Sequence, residues 1–147
     1  MTTRQPPLLA LEQIVFSYPD AAPALRGVSA AIHRGERIAV LGNNGAGKST
    51  FFLICNGILR PQQGTVYADG QPVSYTRRGL TALRRKVGIV FQDADNQIIA
   101  SDVESEISFG PMNLRLPQEA VQQAVDEAIR QMGLGHYRRR APQNLSA

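Results

Sequence analysis

The stretch that decides the fold of this 147-residue chain covers positions 42–50 and reads Gly42-Asn43-Asn44-Gly45-Ala46-Gly47-Lys48-Ser49-Thr50. It fits the pattern G-x-x-x-x-G-K-[ST], in which a glycine-rich loop leads into the N-terminus of a helix. Residues 37–41 before it read as a short buried strand, and residues 49–59 after it are apolar and free of proline, as a helix would be. Strand, loop and helix in this order predict a loop that binds the phosphates of a nucleotide.

The chemistry of phosphate binding explains why these residue types are needed. Glycine lets the backbone pass close to an anion, so that successive N–H groups can point inward. The positive end of the helix dipole adds to their attraction. Lys48 is predicted to reach the β- and γ-phosphates, Ser49 to ligate Mg²⁺ through its hydroxyl, and Thr50 to donate to the α-phosphate. We therefore expect residues 42–50 to bind a nucleoside triphosphate together with Mg²⁺.

Composition indicates a soluble globular protein, because 43% of the residues are hydrophobic and 19% are charged. The longest run of large apolar residues, 51–55, is far too short for a membrane span, and the N-terminus has no signal-peptide pattern. A single cysteine, Cys55, excludes an internal disulfide framework and suits a reducing compartment. We expect a cytoplasmic protein in which Cys55 is a small core residue.

Basic residues give the chain a formal charge of +4 and cluster at 77–78, 84–86 and 138–140. Such clusters are typical of solvated helix ends and linker surface, and this is the interpretation that we favour. A nucleic-acid footprint or contact with an anionic membrane face is the alternative. No aromatic residues alternate with the basic ones as a stacking platform would require, so we predict no nucleic-acid partner.

Hydrophobic patterning and turn residues predict the remaining elements. Strands are expected at 8–18, 28–33, 37–41, 65–68 and 87–91, with Arg34-Gly35-Glu36 as a hairpin turn before the loop and Asp69-Gly70 as a tight turn. Helices are expected at 49–59, 80–86, 103–109 (stopped by Gly110-Pro111) and 117–132, with Pro117 at the first position of the last helix and Gly133 at its C-cap. The last helix carries a core-facing stripe formed by Ala120, Val121, Ala124, Val125, Ala128, Ile129 and Met132.

Three further segments resemble the nucleotide-binding subunits of ATP-binding-cassette (ABC) transporters. They are Phe16-Ser17-Tyr18-Pro19, Leu25-Arg26-Gly27-Val28-Ser29 followed by Gly35-Glu36, and Val87-Gly88-Ile89-Val90-Phe91-Gln92. The resemblance implies that Tyr18 stacks on the adenine of ATP. It also implies that Gln92 contacts Mg²⁺ and the attacking water and senses a membrane subunit. A neutral amide suits this role, because it can ligate a cation or accept a hydrogen bond without adding charge.

The stretch after Gln92 is similar to one subfamily, the ATPase subunits of energy-coupling-factor importers for cobalt, nickel and vitamins. The similar residues are 93–98, Asp-Ala-Asp-Asn-Gln-Ile, and 103–111, Val-Glu-Ser-Glu-Ile-Ser-Phe-Gly-Pro. The resemblance implies an α/β phosphate-loop NTPase fold, of which residues 1–147 form the N-terminal portion. Residues 8–92 would be an ATP-binding core with an antiparallel β-subdomain and a partial parallel sheet, and residues 93–147 an incomplete helical subdomain.

The same resemblance implies partners, a location and a mechanism. Lys48 and Gln92 would be the catalytic residues, and Ser49 and Gln92 the Mg²⁺ ligands. Two such subunits, identical or paralogous, would close head to tail on two Mg·ATP, and positioning and electrostatic stabilisation would carry the catalysis. The region after Gln92 would contact a transmembrane subunit, which would place the protein on the cytoplasmic face of the membrane.

The chain departs from the family pattern at its C-terminal end. Residues 144–146 look like the start of the signature motif Leu-Ser-Gly-Gly-Gln, but Ala147 stands at the first glycine. The family's Asp-Glu strand, its dimer-contact loop and its γ-phosphate-sensing histidine find no match, and His33 and His136 read as ordinary histidines. We expect this polypeptide alone to bind ATP weakly, to hydrolyse it negligibly and to aggregate through an unpaired edge at residues 38–41.

Alternatives to the importer subunit stay open at this point. Another phosphate-loop kinase or GTPase is one, although the Asn-Lys-x-Asp motif for guanine is missing. Others are a non-hydrolysing nucleotide-binding remnant or half of a split gene, and a cassette ATPase of DNA repair or translation. In a further reading, Asp93 rather than Gln92 is the residue at the strand end that holds Mg²⁺.

Overall fold

Strand β1 (Leu9–Phe16) is an inner strand of an antiparallel sheet with the order β2-β1-β3-β4, in which β2 is Leu25–Ile32, β3 is Gln63–Ala68 and β4 is Gln71–Pro72. The computed structural model describes residues 6–92 and 97–145, and the chain divides into two units between Ile89 and Val90. The sheet belongs to the first unit. The predicted strands at 8–18, 28–33 and 65–68 are confirmed, and so is the turn at Asp69-Gly70, which joins β3 to β4.

Register in the sheet is interrupted by a bulge in β1. Leu9 pairs with Ile32 of β2 and with Ala68 of β3, but the pairing shifts between Leu11 and Ile14. Gln13 lies in the bulge with a φ of 49°, and its backbone N–H donates to the Ser29 hydroxyl at 2.9 Å. The extra residue in the bulge shifts the alternation of side chains along β1. As a result Ile14 and Phe16 are buried in the same core as Leu9 and Leu11.

The core of the first unit lies between the sheet and two helices, α1 (Lys48–Cys55) and α2 (Arg77–Arg84). Its buried members are Leu9, Leu11, Ile14, Phe16, Leu25, Phe51, Ile54, Cys55, Val66 and Leu83. Both helices confirm the sequence prediction, although α1 ends at Cys55 and α2 begins three residues earlier than expected. Because α1 contributes Phe51, Ile54 and Cys55 to this core, the start of the helix, where the loop meets it, is held in a fixed place.

Two predicted strands are not formed. Residues 37–41 and 87–91 have no strand assignment, and among the described residues no strand pairs with either run. Leu41 is 90% exposed and Val90 is 92% exposed. The prediction was wrong because an apolar run becomes a strand only when a neighbour accepts and donates its backbone hydrogen bonds. The described sheet is therefore wholly antiparallel, without the expected parallel part.

The hairpin predicted at residues 34–36 is wrong for the same reason. The chain does turn there, since the N–H of Glu36 donates to the carbonyl oxygen of His33 at 3.2 Å. The Glu36 carboxylate in turn accepts from the N–H of His33 at 2.7 Å. This is a local turn at the end of β2, with no second strand to close a hairpin.

The second unit contains two packed helices, α3 (Val103–Asn113) and α4 (Gln118–Gln131). The predicted stop of α3 at Gly110-Pro111 is wrong, because the helix includes both residues and ends at Asn113. Pro111 has no backbone N–H, so the helix lacks one hydrogen bond there. The chain then leaves the helical conformation at Arg115, whose φ is 56°. Helix α4 is confirmed, with Pro117 as its N-cap rather than its first residue and Gly133 in the left-handed conformation after it.

The predicted stripe on α4 holds at its centre, where Val125 and Ile129 are buried, and fails at its end, where Met132 is 74% exposed. Met132 is already the C-cap of the helix, so the helical spacing no longer directs its side chain inward. Within residues 6–92 and 97–145, we find no helix with the length and apolar character needed to cross a membrane.

Candidate functional site

Residues 42–47 form a loop that leads into α1 and curls around the side chain of Lys48, the first residue of that helix. The Lys48 Nζ donates to the carbonyl oxygens of Gly42 at 2.6 Å and Asn43 at 2.8 Å. A turn at the tip is closed by the N–H of Ala46, which donates to the carbonyl oxygen of Asn43 at 3.1 Å. The Lys48 ammonium therefore lies against the backbone of the loop.

Gly47 occupies a position that only glycine fits. It is the N-cap of α1, with φ 89° and ψ 7°, a left-handed conformation that L side chains rarely adopt. A Cβ there would lie 2.5 Å from the carbonyl oxygen of Ala24 and 3.0 Å from Cδ2 of Leu25. The end of the loop thus packs directly on the residues that begin β2.

The first turn of α1 has two features that favour an anion. No side chain caps the helix, and no acidic residue lies in its first turn. The N–H groups of this turn have no acceptor within the helix, and the helix dipole makes its N-terminus attractive to negative charge. Ser49 is exposed in this turn, whereas Thr50 is 5% exposed.

The structure brings Tyr18 to the same helix. Its hydroxyl lies 3.2 Å from Oγ1 of Thr50, close enough for a hydrogen bond in either direction. The Tyr18 ring contacts Phe16 edge to face, with centroids 5.1 Å apart and planes at 87°. Tyr18 is nonetheless 42% exposed, so a part of its ring is open to a ligand.

The connection that carries Tyr18, residues 17–24, is closed at its base. The N–H of Ala24 donates to the carbonyl oxygen of Phe16 at 2.8 Å. The amide side chain of Gln62 accepts from the N–H of Ser17 at 2.8 Å and donates to the Ser17 carbonyl at 3.2 Å. These bonds fix the point at which Tyr18 leaves the sheet.

Gln92 is exposed in a bend at the start of the second unit. Its predicted contacts with Mg²⁺ and water stay predictions. Asp93, the alternative Mg²⁺ ligand, and the neighbouring residues up to 96 lie outside the described residues. Nowhere in the described ranges do three or more His, Cys, Asp or Glu side chains group together in a way that could hold a metal ion.

Two buried polar groups lie at the C-terminal end of α1: Cys55 is its last residue and Asn56 its C-cap. Burial raises the pKa of the Cys55 thiol to about 11, so the thiol is protonated at neutral pH and the prediction of a core cysteine is confirmed. Asn56, which the sequence analysis missed, is 6% exposed and its Nδ2 donates to the carbonyl oxygen of Val87 at 2.5 Å. The available signal was a polar residue directly after the apolar helix and before Gly57.

The second unit contains a charge cluster that the sequence did not reveal. Arg138 donates to Glu104 at 2.6 Å and lies 2.8 Å from an Asp126 carboxylate oxygen, so the interpretation as solvated surface is wrong for this arginine. The hydrogen bond from Arg138 holds the pKa of Glu104 below its ordinary value. A third carboxylate, that of Glu106, accepts from the N–H groups of Ile99 and Ala100 at 3.0 and 2.7 Å. These contacts fix α3 against both flanking segments.

Comparison with known proteins gives one consistent result. Residues 25–147 match the protein-family model described as ABC transporter. The energy-coupling factor transporter ATP-binding protein EcfA of Methanothermobacter thermautotrophicus is 48% identical over 139 residues, which is 95% of this chain and 45% of that protein. EcfA2 of Methanospirillum hungatei is 50% identical over 140 residues, covering 95% of this chain and 35% of that protein. The chain thus spans less than half the length of these relatives.

Comparison with solved structures also finds ATP-binding proteins of this kind. The structure of CbiO1 from Clostridium perfringens, described as part of the ABC transporter complex CbiONQ, matches with a TM-score of 0.84 at 40% identity, covering 97% of this chain and 57% of that one. A dimeric ATP-binding cassette in a post-hydrolysis state, bound to ADP and Pi, matches with a TM-score of 0.74 at 25% identity, covering 94% of this chain and 63% of that one.

Proposed function

The chain belongs to the ABC transporter family, and from this premise we propose that it is the N-terminal portion of the ATP-binding subunit of an energy-coupling-factor importer. In this proposal residues 42–50 bind the triphosphate of ATP, and Tyr18 stacks on the adenine. One observation carries it: the loop curls around the Lys48 ammonium at the start of a helix whose N-terminus has no side-chain cap.

The loop's geometry supports triphosphate binding in two ways. Phosphate oxygens are anionic and form stronger, charge-assisted hydrogen bonds with the Lys48 ammonium than the carbonyl oxygens of Gly42 and Asn43 do. The first backbone N–H groups of α1 add uncharged donors that can bind the phosphates directly, without a side chain. Gly47 supports both sets of donors, the Lys48 ammonium and the N–H groups of α1, because it lets the backbone turn into the helix at a φ of 89°.

Magnesium fits the residues at the head of α1. Ser49 offers an exposed hydroxyl oxygen there, a ligand type that Mg²⁺ accepts, and this ion keeps several waters and takes further oxygens from the phosphates of its substrate. Bound Mg²⁺ would neutralise charge on the β- and γ-phosphates. We propose Ser49 as its ligand from the loop and Gln92 as a second ligand that also orients the attacking water.

Partners and location follow from the family premise. The dimeric relative with ADP and Pi supports a second ATPase subunit as partner, and the CbiONQ complex of the CbiO1 relative supports a transmembrane subunit. In the segment after Gln92, Ile99, Phe109 and Met112 are exposed apolar side chains that such a subunit could cover. We place the protein on the cytoplasmic face of the membrane, energising uptake of cobalt, nickel or a vitamin. Hydrolysis is assigned to the complete subunit, of which this chain is a part.

Replacing Lys48 tests the proposal. We expect Lys48→Ala to weaken ATP binding by the 10- to 100-fold that loss of charge-assisted hydrogen bonds predicts. Equilibrium dialysis with labelled ATP measures it, and an unchanged circular dichroism spectrum shows that the fold is intact. The matched control is Lys86→Ala, because Lys86 is the other lysine of the chain and pairs with Asp69 rather than the loop. Unchanged ATP affinity in the Lys48 variant would refute the proposal.

A competition between ATP and GTP separates the importer subunit from the GTPase alternative. The adenine-stacking role proposed for Tyr18 provides no hydrogen bonds that read guanine, so the preference should be for ATP or weak. A strong preference for GTP would favour the alternative.

A further inference from the structure

Two hydroxyl groups that serve different parts of the proposed nucleotide site touch each other. The Tyr18 hydroxyl, on the connection after β1, lies 3.2 Å from Oγ1 of Thr50, the third residue of α1. Thr50 is 5% exposed, and its hydroxyl is thus shielded from most solvent. The two residues are 32 positions apart in the sequence, so the contact depends on the fold.

The contact fixes one end of the Tyr18 ring, and Phe16 fixes another part. Phe16 meets the ring edge to face, at 87° and 5.1 Å between centroids. An aromatic side chain has two rotatable bonds, and one packing contact together with one hydrogen bond at its far end is sufficient to hold both. The exposed part of the ring is then presented in one orientation.

Thr50 can hold Tyr18 and still bind a phosphate. A threonine hydroxyl has one hydrogen to donate and two lone pairs to accept. When the Tyr18 O–H donates to Oγ1 of Thr50, the Thr50 hydrogen stays available for a phosphate oxygen. Such a chain of hydroxyls also polarises each bond in the same direction.

We infer that Thr50 is a positioning residue for Tyr18, so that the base platform and the phosphate loop are coupled through one pair of hydroxyl groups. This inference rests on the proposed function, since it takes the Tyr18 ring as the surface for adenine. A hydrogen bond with a purely structural role would contribute to stability and leave the discrimination between ATP and a ligand without a base unchanged.

A double-mutant cycle on the 147-residue chain tests the coupling, with ATP and inorganic tripolyphosphate as the two ligands. Tyr18→Phe keeps the ring and removes the bond. This substitution should weaken the affinity for ATP about fivefold, the equivalent of about 1 kcal/mol for one net hydrogen bond. It should change the affinity for tripolyphosphate less than twofold. In a Thr50→Val background, the same Tyr18 change should alter ATP affinity less than twofold. In Thr50→Ser, which keeps the hydroxyl, the fivefold effect should return.

Tyr75→Phe is the matched control, because the buried Tyr75 hydroxyl has no hydrogen-bond partner among residues 6–92 and 97–145. It should leave the ratio of ATP to tripolyphosphate affinity unchanged. A fivefold effect of Tyr18→Phe that persists in Thr50→Val would overturn the inference, and so would an equal loss for both ligands or no loss at all. If the unsubstituted chain binds neither ligand, or if Lys48→Ala has no effect, the proposed function itself fails, and that result is distinct from a missing coupling.

Discussion

Replacing Gly47 with alanine should destabilise the fold by about 2–4 kcal/mol, and replacing Gly45 in the same loop by only about 1 kcal/mol. Both glycines have a left-handed φ, 89° at Gly47 and 82° at Gly45. A non-glycine residue there costs about 1–2 kcal/mol, of which the smaller entropy of the unfolded alanine chain returns about 0.4–1 kcal/mol. This net cost of about 1 kcal/mol applies to both positions.

The two positions differ in the space around a new methyl group. At Gly45 the Cβ would have no neighbour within 4 Å, whereas at Gly47 it would lie 2.5 Å from the Ala24 carbonyl oxygen, about 0.9 Å closer than the 3.4 Å at which ordinary contact begins. The atom in the way belongs to the backbone, and Ala24 is held by its hydrogen bond to Phe16. Overpacking of this kind costs about 1–3 kcal/mol in addition.

Urea unfolding followed by circular dichroism measures both variants on the same scale. The free energy of unfolding of Gly47→Ala should lie at least 1 kcal/mol below that of Gly45→Ala. Equal values for the two variants would show that the loop does not pack on the start of β2 as described, and the account of the loop's placement would then fail.

Two further predictions concern the buried polar groups at the C-terminal end of α1. Asn56→Ala should lower the free energy of unfolding by about 1–3 kcal/mol, because the Val87 carbonyl loses its donor. The control, Asn113→Ala on the exposed end of α3, should change the free energy of unfolding by less than about 0.5 kcal/mol. Equal effects of the two substitutions in urea unfolding would contradict the buried hydrogen bond assigned to Asn56. Stability should fall as pH rises from 9 towards 11, since the Cys55 thiol ionises near pH 9 in the unfolded chain and near pH 11 in the folded one. Unfolding curves across this range should show a shallower decline for Cys55→Ala than for the unsubstituted chain, and identical slopes would speak against the raised pKa.

Local patterns predicted the elements whose formation depends on local residues. The glycine loop, α1, α4 and the strands β1 and β3 follow from turn residues, helical spacing and apolar runs, and the structure confirms them. The runs at 37–41 and 87–91 have equally apolar sequences, yet they lack strand partners within the described ranges. Sequence patterns record what a segment buries and leave open which neighbour it pairs with.

Only the part of the candidate site that depends on local sequence could be predicted. The residues of the loop follow from a contiguous motif, and Tyr18 came only from the family resemblance. Its bond to Thr50 and the support of Gly47 by Ala24 join positions that are far apart in the chain, so no local pattern could indicate them. Arg138 stood in a run of three arginines that reads as surface, and only the fold shows that two carboxylates meet it.

The connection between β1 and β2 is closed at its base by hydrogen bonds, and its tip is exposed. Asp20, Ala21 and Ala22 are exposed there, only a few positions from Tyr18. The chain's one native thiol is buried and protonated, so a cysteine introduced at this tip would be the one that a maleimide dye modifies. The protein thus offers a natural attachment point for an optical reporter beside the proposed adenine platform, on a segment whose anchorage to the sheet a label would not disturb.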